Sequence, residues 1–281
     1  MKKKKLNGIS FVQVILMTLV FIIIVISVYP VIWMILTSVK PPYQFSRSML
    51  ELPDQLFFRN YYDAWTRGNF GRYYINTVVV TVTGLFLVVG LGSMIGFAIE
   101  KMRWKLSKFT LKIFLSGIMI PGVMLLLPQF LIFKSVGLYN NLLSIIAAIT
   151  VGQLPISVFL FSTFYRYLPN DVMESAVIDG CSIPQVFFRI VLPLTTNTVL
   201  TVIICGFSVF WNDFVVANTF TTDVNMKTVQ VGISFFMGFF TLTEWGPIFA
   251  GLCIGTLPTV IVYLFLNQRV LTGVAEGSVK G

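Results

Sequence analysis

Six apolar runs, each long enough to cross a bilayer as a helix, divide this chain near residues 11–37, 75–99, 110–133, 142–165, 197–219 and 245–266. About 18 or more consecutive apolar residues are needed to span the hydrocarbon core. Buried in water-soluble domains, so many runs of this length would leave too little polar surface. The 281 residues are 56% hydrophobic and only 11% charged, whereas soluble domains carry about 25% charged residues. A transmembrane barrel would instead show short alternating segments, and none are present. The expected fold is therefore an all-α integral membrane protein with six transmembrane helices.

The formal charge of +9 is read as topology. Basic residues interleaved with aromatics in one patch are absent, which argues against nucleic acid as a partner and leaves the lipid bilayer. Met1 is followed by Lys2 to Lys5 and then by an apolar run too long for a signal-peptide core. An uncleaved first span with these lysines on the cytoplasmic side is expected. Alternation then puts the short loop with Lys101, Arg103, Lys105 and Lys108 inside, together with residues 166–196 and the tail 267–281. Both termini are thus expected to be cytoplasmic, flanking a transmembrane domain over 11–266 that follows a cytoplasmic segment, 1–10.

Chemistry is constrained by what the chain lacks. It contains no histidine, so imidazole catalysis, histidine–zinc sites and histidine proton relays are excluded. Cys181, Cys205 and Cys253 show no paired spacing and are read as small packing residues without disulfide or metal. Proline and glycine interrupt three runs: Pro121, Gly122 and Pro128 in the third, Gly152 and Pro155 in the fourth, Pro247 and Pro258 in the sixth. Proline removes a helical hydrogen bond, and broken helices are tolerated in membranes where they face protein or a water-filled path. Gly92 with Gly96, and Gly251 with Gly255, have the small-xxx-small spacing that lets helices approach closely.

The most polar connection is ESAVIDGCSIPQVFFRIVLP, Glu174 to Pro193. Pro169 ends the preceding span. Asn170 or Asp171 is expected to cap a new helix, with Asp171 and Glu174 in the first turn, where the helix dipole favours anions. Gly180 supplies the stop. Ser182 and Gln185 have capping-box spacing and restart the chain as a second helix. Two short helices hinged at Gly180 result. A lipid-resting amphipathic helix would carry lysine and arginine on its polar face. Here the first half carries acids and the second only Arg189, so a protein partner fits better.

These residues resemble the signature loop of ATP-binding-cassette importer permeases: Glu-Ala-Ala, three residues, Gly, nine residues, Ile, one residue, Leu-Pro. Glu174, Ser175, Ala176, Gly180, Ile190, Leu192 and Pro193 stand at that spacing, with Asp179 before the glycine; serine replaces one alanine. Residues 118–138 are similar to the third span of sugar permeases of the maltose-transporter type, and Trp211, Asn212, Asp213 and Phe214 to a stretch in their fifth. The ending from Gly277 is similar to theirs as well.

The resemblance implies the type I importer permease fold in a bacterial cytoplasmic membrane. It also implies two ATP-binding-cassette ATPase subunits gripping the signature loop, a second and non-identical permease subunit, and an extracytoplasmic sugar-binding protein. ATP and Mg would sit on the partner subunits, with no cofactor on this chain. Consistently, no G-x-x-x-x-G-K-[ST] phosphate loop occurs.

Polar groups inside spans default to a functional reading. Trp211, Asn212 and Asp213 are the candidates for a translocation path, with Gln129 and Gln153 behind them and Glu244 at an interface. Asp213 has a competing role as a helix-packing cap. The long, aromatic outer segment 38–74 and the outer segment 218–243 are candidates for contact with a delivery protein. A permease of the same superfamily for a polyamine or phosphate remains an alternative. An ion-coupled transporter would require midplane carboxylates, which are scarce. A rhomboid-like protease would require histidine.

Overall fold

The computed structural model describes residues 11–67, 69–102, 104–234 and 243–278, with side chains from Val12 to Phe265. Lys2 to Lys5, Arg103, the stretch 235–242 and the last residues from Val279 lie outside the described residues.

The described chain is helical throughout. In order the helices are α1 (Phe11–Ser38), α2 (Pro42–Phe45), α3 (Arg59–Arg67), α4 (Phe70–Glu100), α5 (Ser107–Ile118), α6 (Leu126–Ser135) and α7 (Leu142–Tyr167). They continue as α8 (Asp171–Ile178), α9 (Ile183–Val186), α10 (Leu192–Leu194), α11 (Thr196–Trp211), α12 (Val215–Phe220), α13 (Val229–Ser234) and α14 (Trp245–Ser278). Four of them are long and apolar enough to cross a membrane, and two bent pairs raise the number to six.

Two compact units are present: residues up to 67 with 243–254, and residues 69–234 with 255–278. In the first, α1 is apolar on every side and its membrane-crossing stretch is exposed, as a lipid-facing helix must be. Its end is tied down by polar contacts. Asn60 Nδ2 donates to Ser38 O and Lys40 O, both at 2.8 Å, and Ser38 Oγ lies 2.7 Å from Tyr61 Oη. Trp33 meets Phe249 edge-on at 5.2 Å.

The second unit is built on α4 and α7, which run parallel. Gly92 faces Ser157, and a Cβ at Gly96 would sit 2.8 Å from Phe161 Cβ. Ser157 Oγ donates to Val88 O at 3.0 Å. Lipid tails are as apolar as leucine, so helices in a bilayer associate through close packing and interhelical hydrogen bonds; this seam supplies both. α11 lies against α4 through Gly84 and Phe210, and Gly206 and Leu85. At the opposite end from Glu100, Asn76 Nδ2 donates to Asn225 O and Lys227 O, and Val229 N to Thr77 Oγ1.

Three spans differ from the sequence expectation. The third is two helices bent by 97° about a 3₁₀ turn, Gly122–Leu125, because Pro121 and Gly122 stop α5. The fifth ends at Trp211 rather than running to 219. The sixth continues as helix to Ser278, past residue 266. Pro155 and Pro258 do not interrupt their spans; each lies inside a continuous helix, and Pro247 sits in the first turn of α14, where no helical hydrogen bond is lost.

Gly96→Leu should lower stability by about 1–3 kcal/mol through overpacking. Gly90→Leu, on the same helix with open space around it, should leave it unchanged. Thermal unfolding of the two variants in detergent checks the contrast.

Candidate coupling loop and polar cavity

Parallel packing brings Glu100 and Arg166, the ends of α4 and α7, side by side, with Arg166 Nη2 donating to Glu100 Oε1 at 3.0 Å. The next residue, Lys101, donates from Nζ to Leu168 O at 2.7 Å and to Asn170 Oδ1 at 2.9 Å. Burial pulls the Lys101 ammonium below the usual lysine range, opposed by the Glu100 charge. The loop after α7 is thereby clamped to the end of α4. This use of Asn170 corrects the capping expectation: its side chain bonds Lys101 and makes no cap to α8. Asp171 and Glu174 do occupy the first turn of α8.

Helix α8 closes as a Schellman motif. Cys181 N donates to Ala176 O at 2.9 Å and Gly180 N to Val177 O at 3.0 Å, with Gly180 at φ +89°. That conformation is cheap only for glycine. The chain restarts at Ser182, whose backbone N–H and hydroxyl both donate to Gln185 Oε1, at 2.8 and 3.0 Å. The second helix is less regular than expected. After α9 the chain widens into a π turn, Phe187–Val191, then passes through α10 and turns by 75° into α11.

The loop sorts its residues by side. Ala176, Val186, Phe187 and Val191 are buried, and Ile190 and Leu192 pack against the same core. Phe187 lies 5.2 Å from Phe97, which meets Tyr165 edge-on at 6.2 Å. Glu174, Ser175, Asp179, Gly180 and Pro193 are exposed. Beside them Val177, Ile178 and Ile183 stand out of the surface, Ile178 at 85% exposure. They border a groove of about 640 Å³ that also touches Glu174 and Lys101. A rigid base thus carries an exposed face of apolar tips and carboxylates.

The second polar cluster lies where the third and fifth spans break. A cavity of about 480 Å³ is lined by Gln129, Gln153 and Asp213 among apolar neighbours, including Gly122 and Val209. Asp213 accepts from Ala217 N at 2.9 Å and Val216 N at 3.4 Å, capping α12. Asn212 is exposed, donating to Ser208 O at 3.0 Å and accepting from Gln230 Nε2 at 3.2 Å. Trp211 is buried: its indole N–H donates to Gly255 O at 2.8 Å, and its ring stacks on Phe207 and meets Tyr74 edge-on. The three neighbours in sequence therefore take different surroundings, with only Asp213 on the cavity. Glu244 pairs with Arg67 at 2.7 Å.

Sequence reasoning missed the supports: Phe97, Glu100, Lys101 and Arg166. Their one sequence signal was charge at the ends of two apolar runs, which the positive-inside rule had absorbed.

Over residues 88–271 the chain matches the family described as binding-protein-dependent transport system inner membrane component. It is 29% identical over 257 residues to the diacetylchitobiose uptake system permease protein NgcG of Streptomyces coelicolor, covering 91% of this chain and 85% of that protein. It is 28% identical over 261 residues to the trehalose/maltose transport system permease protein MalG of Thermococcus litoralis, covering 92% and 93%. The fold is that of a chain in the crystal structure of a bacterial ABC transporter involved in import of the acidic polysaccharide alginate, with TM-score 0.81 at 18% identity, covering 93% of this chain and 99% of that one.

Gly180→Val should strain the hinge by roughly 1–2 kcal/mol. Hydrogen exchange should quicken across residues 176–186 while the α4–α7 seam keeps its protection; equal change in both regions would contradict a local hinge.

Proposed function

The chain belongs to the family of binding-protein-dependent transport system inner membrane components, and from that premise we propose that it is one membrane subunit of an ATP-driven importer for a sugar or oligosaccharide. The observation that carries the reading is the signature loop, folded as a Gly180-hinged pair with its acidic and apolar face outward and its root fixed to α4 and α7. Support for a carbohydrate cargo comes from relatives whose names specify diacetylchitobiose and trehalose/maltose.

In this reading the exposed face of α8, with Glu174, Ser175, Ala176, Asp179 and Gly180, seats in a groove of an ATPase subunit. Ile190, Leu192 and Pro193 carry its displacement into α11. ATP and Mg are bound by two such ATPases, and this chain contributes no catalytic group. Because the root is rigid, ATPase closure moves α8 together with the ends of α4 and α7. A second, non-identical permease completes the pathway, and an extracytoplasmic sugar-binding protein delivers cargo at the far end. α4 and α7 end on one side, so the basic loop after α4 and the signature loop share a face. This agrees with a cytoplasmic location for both and for the termini.

Sugar hydroxyls require hydrogen-bonding groups where the spans open. Asp213, Gln129 and Gln153 offer them around one cavity. Asn212 extends the polar surface, and Trp211 holds it in position from behind.

Glu174→Ala should reduce sugar uptake about tenfold, a barrier change of ~1.4 kcal/mol, with normal membrane insertion. Uptake and ATPase co-purification both at wild-type level in a Gly180→Pro variant would sink the coupling role. The Asn212→Ala, Asp213→Ala double variant should lower uptake while the ATPase still co-purifies. Unchanged uptake would remove these residues from the path.

A further inference from the structure

A second cleft, of about 910 Å³, opens beside the root of the signature loop and is unused by the reading above. Lys105, Lys108 and Lys112 line it, with Arg166 from α7 and one carboxylate, Glu100. Lys108 and Lys112 are four residues apart on α5 and so share a face. Arg166 and Glu100 neutralise each other at 3.0 Å. Among the described residues, the three lysines have no carboxylate or other hydrogen-bond partner. Like charges at this spacing repel, so an anion in the cleft relieves a cost the fold otherwise carries.

The positive-inside rule asks for basic residues in this loop. It does not ask that Lys112, inside an apolar helix, converge on one cleft with Lys105. The other lining is apolar: Leu111 and Leu115 continue the cleft along α5. Trp104 is 41% exposed at its edge, its indole N–H donating to Ala98 O at 2.8 Å. Tryptophan in this setting marks the headgroup level of a bilayer. The ends of two spans, Glu100 and Tyr167, lie at the same depth as the bonded Glu100–Arg166 pair. A basic rim over an apolar floor at headgroup depth matches an amphiphile with an anionic head.

We propose that this cleft binds the phosphodiester headgroup of an anionic phospholipid from the leaflet bordering α8, with an acyl chain along Leu111 and Leu115. The bound lipid lies against Arg166 and next to the Lys101 clamp, so it steadies the root of the loop. The site rests on the membrane reading but not on the identity of the cargo.

The test uses the full chain in its assembled transporter. Spin-labelled phosphatidylglycerol and phosphatidylcholine report their relative occupancy at the protein surface. The wild type should prefer phosphatidylglycerol, and the Lys105→Gln, Lys108→Gln, Lys112→Gln triple variant should lose about tenfold of that preference. The triple lysine-to-arginine variant should keep it, as should a Lys134→Gln, Arg47→Gln control. An unchanged preference in the glutamine variant overturns the proposal. Displacement of phosphatidylglycerol by an equal concentration of glycerophosphoglycerol would assign the site to soluble phosphate esters instead. Loss of ATPase co-purification with lipid preference intact would assign the face to a protein partner.

Discussion

The closeness of two parallel helices governs the rest of this structure. Within a bilayer, α4 and α7 gain nothing from hiding apolar surface from each other, since lipid does that equally well. They are held by glycines that admit Ser157 and Phe161 and by the Ser157–Val88 hydrogen bond. Phe97, Phe161 and Tyr165 continue the seam as interlocked rings. Because the helices are parallel, their C-terminal ends meet, and charges 66 residues apart in sequence become an ion pair. The loop leaving α7 then finds Lys101 within reach. A looser seam would give α8 nothing firm to push on.

The breaks in the third and fifth spans follow a different rule. Backbone groups freed inside a membrane must be satisfied by protein. Asp213 does this for α12 by accepting two backbone N–H groups. The same carboxylate also borders the cavity with Gln129 and Gln153. Packing cap and path residue, two roles that compete on sequence grounds, are therefore compatible in space. A group that ends one helix and faces an opening serves both with different oxygen lone pairs.

What was legible in sequence divides along the same line. Runs of apolar residues specify spans because the bilayer imposes a length, and α1, α4, α7 and the start of α14 appear close to where the runs place them. Gly180 and the Ser182–Gln185 pair were legible because caps and hinges are local chemistry. Gly92 and Gly96 were legible as spacing, but their partner was not, since spacing carries no address. Proline was the poorest guide. Pro121 with a following glycine breaks a span, whereas Pro155 and Pro258 sit in unbroken helices. The outcome depends on neighbours that supply or withhold replacement hydrogen bonds. Asn170 was misassigned for a related reason: a distant lysine outcompeted the local cap.

The π turn over Phe187–Val191 bears on how this loop can vary. A π turn holds one residue more than an α turn at nearly the same axial advance, so it acts as a phase shifter between α9 and α11. Removing one residue there would restore α geometry and rotate everything beyond it by about 100°. Leu192 would then leave the core and the lining of α11 would turn away from α4. The fixed count of residues between Gly180 and Leu192 is thus a rotational setting, one that substitution can respect and that deletion cannot.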